Sequence, residues 1–98
     1  MRISSTTVAK LKRAIHLSFG KVPVYLFGSR EDDNAVGGDI DIAIDSQLNR
    51  EIFAQKRVLL KTELVKMGFT EISVDVVPYY PKDELLAQAI QKTAIRLF

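Results

Sequence analysis

Of the four aspartates in segments that otherwise read as β-strand, three could do chemistry together. Asp39 and Asp41 fall in the run Asp39–Asp45 (DIDIAID), and Asp75 falls among valines in VDVV. Core strands disfavour aspartate, because an unpaired buried carboxylate is costly. Residues two apart in a strand project from the same face, so the Asp39 and Asp41 side chains share one, with Cα atoms about 6.5–7 Å apart. That spacing lets two carboxylates reach one metal ion or bridge two. Oxygen-only donors suit Mg²⁺ or Mn²⁺ rather than zinc. If the two strands are neighbours in one sheet, Asp75 joins the pair. Three carboxylates on one face then call for cations to neutralise them.

A second group stands at Gly28-Ser29-Arg30, directly after an apolar strand-like run. Gly28 permits a tight turn and a close backbone approach to a ligand. Exposed N–H groups in the following turn, with the Ser29 hydroxyl, can hold phosphate oxygens. Arg30 offers a charge-assisted fork for phosphate. Phosphate binding, a divalent metal and two or three carboxylates are the equipment of two-metal phosphoryl or nucleotidyl transfer. Each part taken alone has a plainer reading: a turn, a solvated edge strand, or an aspartate paired with a lysine. Their combination on three successive strand-like segments favours the chemical reading.

The surrounding elements must position these groups. Val8, Leu11, Ile15 and Phe19 recur at helical spacing, predicting a helix from about Ser5 to Phe19 that stops at Gly20. Val22–Phe27 reads as a buried strand, with Pro23 suggesting that one side of its start lacks a ladder partner. Ser29–Gly38 is polar and acidic, with room for one helical turn. Asp39–Asp45 alternates strictly, which turns Ile40, Ile42 and Ile44 to the core. A long helix is predicted over Asn49–Met67, with Phe53, Leu60, Leu64 and Met67 as its apolar stripe. Ile72–Val77 is the third strand, and a last helix is expected over about Lys82–Leu97. The order is α-β-(loop or short α)-β-α-β-α, an α/β or α+β two-layer domain.

Composition bounds the function. The 98 residues predict one domain, 1–98, and 47% hydrophobic with 27% charged residues is ordinary for a soluble globular chain. No cysteine is present, which excludes a disulfide scaffold, a thiolate zinc site and a thiol nucleophile. His16 is the one histidine, so no multi-histidine site exists. A net charge of +2 is too small to argue for direct nucleic-acid binding. The start MRISSTTVAKLKR lacks a secretory apolar region, and no run is long enough to span a membrane, so the expectation is a cytoplasmic protein.

At the residues quoted, the sequence resembles the nucleotidyltransferase superfamily related to DNA polymerase β. That signature is an apolar residue, Gly, then Gly or Ser, a spacer, and Asp-apolar-Asp/Glu-apolar. Here it reads Phe27-Gly28-Ser29, nine residues, then Asp39-Ile40-Asp41-Ile42. The third carboxylate of the family matches Asp75. Within the superfamily the chain is similar to the minimal nucleotidyltransferases (MNT), short proteins of the order α-β-α-β-α-β-α. The resemblance implies a nucleotidyltransferase fold, a small mixed β-sheet with flanking helices. It implies that Asp39 and Asp41 bind two Mg²⁺ ions, with Mn²⁺ as a substitute. Asp75 completes the site at the metal nearer the nucleophile and helps to deprotonate the attacking hydroxyl. Ser29 contacts phosphates, Gly28 makes the turn and Arg30 steadies the triphosphate of ATP.

Minimal members typically act as antitoxins beside a HEPN-domain ribonuclease toxin. The resemblance thus implies a protein adenylyltransferase that adds AMP to a tyrosine of a HEPN partner, or a weakly active fold that neutralises that partner by binding it. Three departures stand out. The spacer is short, Gly38 stands where serine is common, and Glu31, Asp32 and Asp33 put negative charge where a triphosphate is expected. Tyr79 and Tyr80 read as turn or packing residues, Asp45 as a solvated strand end, and Lys56, Arg57 and Lys61 as a solvated basic face. The AIRLF terminus reads as core or interface, and the sequence leaves oligomeric state open, a homodimer included. A chain this short has no domain for gripping an acceptor, so the acceptor is expected to be another protein.

Overall fold

The computed structural model describes residues 4–27, 40–69 and 73–98. Helix α1 spans Ser5–Ser18. Ser4 caps it, its hydroxyl accepting the Thr7 backbone N–H at 3.1 Å, which satisfies one donor that a helix start leaves open. Helix α2 spans Arg50–Lys66 and is capped in the same way by Asn49, which accepts from the Ile52 N–H at 2.9 Å. Helix α3 spans Glu84–Thr93, and the Asp83 carboxylate accepts from the Leu85 and Leu86 N–H groups.

Helix α2 ends in a Schellman arrangement. The Gly68 N–H donates to Val65 and the Phe69 N–H to Leu64, both at 3.0 Å. Gly68 takes φ 91°, a left-handed value that crowds a side chain against its own carbonyl. No atom lies within 4 Å of the Cβ that Gly68→Ala would add, so its cost is conformational only. The substitution is expected to destabilise the protein by about 1 kcal/mol, read as a lower urea midpoint at unchanged slope.

Four strands, β1 (Val24–Phe27), β2 (Ile40–Ile44), β3 (Val74–Pro78) and β4 (Ile95–Arg96), form one sheet in the order β3-β2-β1-β4. Strand β1 runs antiparallel to β2 and β4, whereas β2 and β3 are parallel. A parallel pair needs a crossover, and α2 provides it. The sheet is therefore mixed, as expected.

Alternation sorts the side chains to two faces. Ile40, Ile42 and Ile44 join Val24, Leu26, Val74 and Val76 on one face, packed against Leu11, Ile15, Leu60 and Leu64 of α1 and α2. The other face carries Phe27 and Ala43, which pack with Ile90 of α3. Helices thus cover both faces of the sheet, which gives three layers in place of the two expected, because α3 buries the Phe27 and Ala43 side.

Two expectations are corrected. Strand β1 begins at Val24, not Val22, and Pro23 precedes it; the Pro23 carbonyl accepts from the Asp45 N–H at 2.9 Å. The last helix ends at Thr93 rather than Leu97, because Ala94 turns extended with ψ 131°. The residues beyond it pair with the outer edge of β1. The Leu97 N–H donates to Val24 at 2.8 Å, and the Phe98 carbonyl accepts from the Val24 N–H at 2.9 Å. An open edge of β1 has more hydrogen bonds to offer than one further helical turn. Leu97 and Phe98 pack against the main core, so the apolar terminus finishes the core. The helical turn considered within Ser29–Gly38 lies outside the described residues, as does Ile72 of the third strand.

Candidate functional site

The β2–β3 pairing decides how the aspartates meet. Asp41 on β2 is the Cα partner of Asp75 on β3, and Phe27 on β1 is the Cα partner of Asp41. Phe27, Asp41 and Asp75 thus form one row across three strands. Partners in register project to the same face, and neighbouring strands lie about 4.8 Å apart. The row faces away from the isoleucines, on the side that α3 covers.

Asp41 is half-buried and Asp75 exposed. Both line a cleft of about 460 Å³ whose walls include Phe27, Leu86 of α3, and Arg57 and Lys61 of α2. Two carboxylates side by side repel, and directly opposed like charges destabilise a sheet. Among the described residues the Asp75 carboxylate makes no hydrogen bond or ion pair, although two cations line the same cleft. Two carboxylates side by side at a cleft offer the oxygen-only donors that suit a hard divalent cation such as Mg²⁺ or Mn²⁺. No group of three or more metal-type ligands occurs among the described residues. Asp39, Gly28, Ser29 and Arg30 lie outside the described residues. In sequence, Gly28 follows Phe27 of the row and Asp39 precedes Ile40 of β2.

The structure brings two further residues to the carboxylates. Arg57 and Lys61 are solvent-exposed, as the basic face of the long helix led one to expect, yet they also wall the cleft. Their helical spacing put them beside the buried stripe of Phe53, Leu60 and Leu64, and that was the one signal in the sequence. Lys56 is used elsewhere, donating to the Ser18 carbonyl at 3.4 Å.

The remaining polar and aromatic residues have plainer roles. Tyr79 stacks on Tyr25 with ring centroids 4.2 Å apart, and Tyr80 meets it edge-on at 4.8 Å. Burial raises the Tyr79 hydroxyl above its usual value of 10.0, and Tyr25, Tyr80 and Asp45 add to the shift. His16 is half-buried and meets Phe98 edge-on at 6.3 Å. No helix among the described residues is long and apolar enough to cross a membrane.

Comparison with known proteins bears on the family and the fold. A family model described as polymerase beta, nucleotidyltransferase, matches residues 10–98. Among solved structures, the chain is similar to one in the crystal structure of the toxin-antitoxin MntA-HepT. The TM-score is 0.67 at 19% sequence identity, and the match covers 97% of this chain and 72% of that one. At that identity the likeness is one of fold. No curated protein matches the chain in sequence.

Proposed function

Because the chain belongs to the polymerase beta nucleotidyltransferase family, we propose that it transfers AMP from ATP to a tyrosine of a partner protein, a HEPN-type ribonuclease toxin, and so acts as its antitoxin. The observation that carries this reading is the register that pairs Asp41 with Asp75 at one cleft. The fold shared with the MntA-HepT chain supports the choice of partner class. In this reading residues 1–98 form one minimal domain working in the cytoplasm as part of a hetero-oligomer.

The tyrosine oxygen attacks the α-phosphorus of ATP. A new oxygen–phosphorus bond forms, the bond to the bridging oxygen of the β-phosphate breaks, and pyrophosphate leaves. The hydroxyl proton passes to the Asp75 carboxylate and then to water. Asp39, Asp41 and Asp75 would hold two Mg²⁺ ions, which supply Lewis-acid neutralisation of the charge that develops on phosphorus. Gly28 and Ser29 hold phosphate oxygens through the backbone and the hydroxyl, and Arg30 forks onto the triphosphate. Phe27 and Leu86 give the cleft its apolar wall.

Mass spectrometry of the adjacent gene's product, co-expressed with this chain, tests the reading. Wild type is expected to leave one or more AMP units on a partner tyrosine, and Asp39→Ala/Asp41→Ala none. A second reading follows from the acidic run Glu31-Asp32-Asp33 beside the phosphate-binding turn in sequence. There the chain neutralises its partner by occlusion, and the double variant still binds and protects cells.

A further inference from the structure

The cleft has two ends. At one stands Phe27, which Gly28 and Ser29 follow in sequence. At the other stands α2, whose Arg57 and Lys61 flank β3, the edge strand of the sheet. Asp75 is on β3, so the carboxylate assigned to the attacking hydroxyl lies on the α2 side of Asp41. Nucleophile and leaving group occupy opposite sides of phosphorus in an in-line displacement. With the triphosphate held over β1, the acceptor enters over β3, past the cations of α2.

Those cations form a row. Arg50, Arg57 and Lys61 stand at helical spacings that place them within about 40° of one another around the axis, over a length of about 16 Å. Arg57 also lines a second groove of about 550 Å³, which continues past Pro78, Tyr80 and Pro81 to Arg50 and Lys82. Asp83, the acid of that groove, is committed to capping α3. Among the described residues Arg50, Arg57, Lys61 and Lys82 make no ion pair. A row of cations that the described residues leave unpaired is complementary to an anionic partner.

We propose that this basic row receives the acceptor, and that the acceptor hydroxyl sits in a polypeptide segment bearing acidic side chains. The direction of approach rests on the transferase reading of Asp41 and Asp75. Tyr80, 76% exposed, and the two prolines put apolar surface between the cations, which suits the mixed surface of a peptide. A nucleic-acid strand presents a phosphate at every nucleotide, whereas Ala54 interrupts the row between Arg50 and Arg57.

Binding of fluorescent random copolymers to the full chain tests this, at low ionic strength and without ATP. The glutamate–tyrosine copolymer is expected to bind well and the lysine–tyrosine copolymer poorly. Arg57→Glu/Lys61→Glu is expected to weaken the acidic copolymer by about tenfold or more while ATP affinity and thermal midpoint hold. An unchanged affinity for the acidic copolymer overturns the proposal. So does a loss of ATP affinity instead, which would assign the cations to the triphosphate. Displacement of the copolymer by a single-stranded RNA of equal length also overturns it, in favour of nucleic acid. The binding signal does not depend on catalysis. If Asp39→Ala/Asp41→Ala transfers AMP as well as wild type, the transferase reading falls and the docking result still stands on its own.

Discussion

Asp75→Asn is expected to lower AMP transfer about a thousandfold, with kcat and kcat/KM falling together. The substitution keeps the size of the side chain and removes its charge and basicity. A positioned general base contributes about 10²–10⁴ in rate, and losing a carboxylate from a divalent-metal site adds to the deficit. A joint fall in both constants is the signature of a group that acts in the transition state rather than in binding. The fold should not suffer. Asp75 is exposed, its carboxylate makes no hydrogen bond or ion pair among the described residues, and its register partner is the like-charged Asp41. Relief of that repulsion is expected to leave stability unchanged or to raise it by a few tenths of a kcal/mol. Steady-state kinetics with a paired thermal melt reads both effects. A small change in rate, or a rate lost only because the protein unfolds, contradicts the role given to Asp75.

The largest stability effect is expected at Ile42. This side chain is fully buried, on a strand with neighbours on both sides, Leu26 on β1 and Val76 on β3. It packs in the core cluster shared with α1 and α2. Ile42→Ala removes three carbons where strands flank it in the sheet and helices cover its face, so relaxation cannot close the cavity fully. A cost of about 3–4 kcal/mol follows, a large share of the roughly 5–15 kcal/mol that holds a domain together. The thermal midpoint should drop by about 15–25 °C. Leu85→Ala is the matched control. Leu85 is 78% exposed, and its loss is expected to cost under about 0.5 kcal/mol. Equal costs at the two positions would show that Ile42 does not sit in the core.

The alternation of Asp39–Asp45 was enough to turn the isoleucines inward, because a period of two leaves a strand no other way to bury them. Helix α2 was legible for a similar reason: Asn49 and Gly68 mark its ends by chemistry that few other residues provide. Strand β4 was not legible. Ile95-Arg96 is too short to show a period, and its pairing depends on the vacant edge of β1, which lies about seventy residues earlier in the chain.

The site divides along the same line. Residue type and spacing brought out Asp41 and Asp75 as unusual, but no local pattern says which strands adjoin. Their meeting depended on α2 acting as a crossover that lays β3 beside β2. Arg57 and Lys61 read as ordinary solvated cations, and only the packing of α2 beside β3 places them at the cleft. What the motif implies for Asp39, Gly28, Ser29 and Arg30 lies outside the described residues.

The central claim is that this carboxylate cleft performs metal-dependent nucleotidyl transfer. Its most direct test combines the purified chain, the adjacent gene's product, Mg²⁺ and ATP labelled on the α-phosphate. The account predicts label on the partner protein with wild type, none after chelation of the metal, and none with Asp39→Ala/Asp41→Ala that folds normally. No label with wild type, or equal label with the double variant, would contradict it.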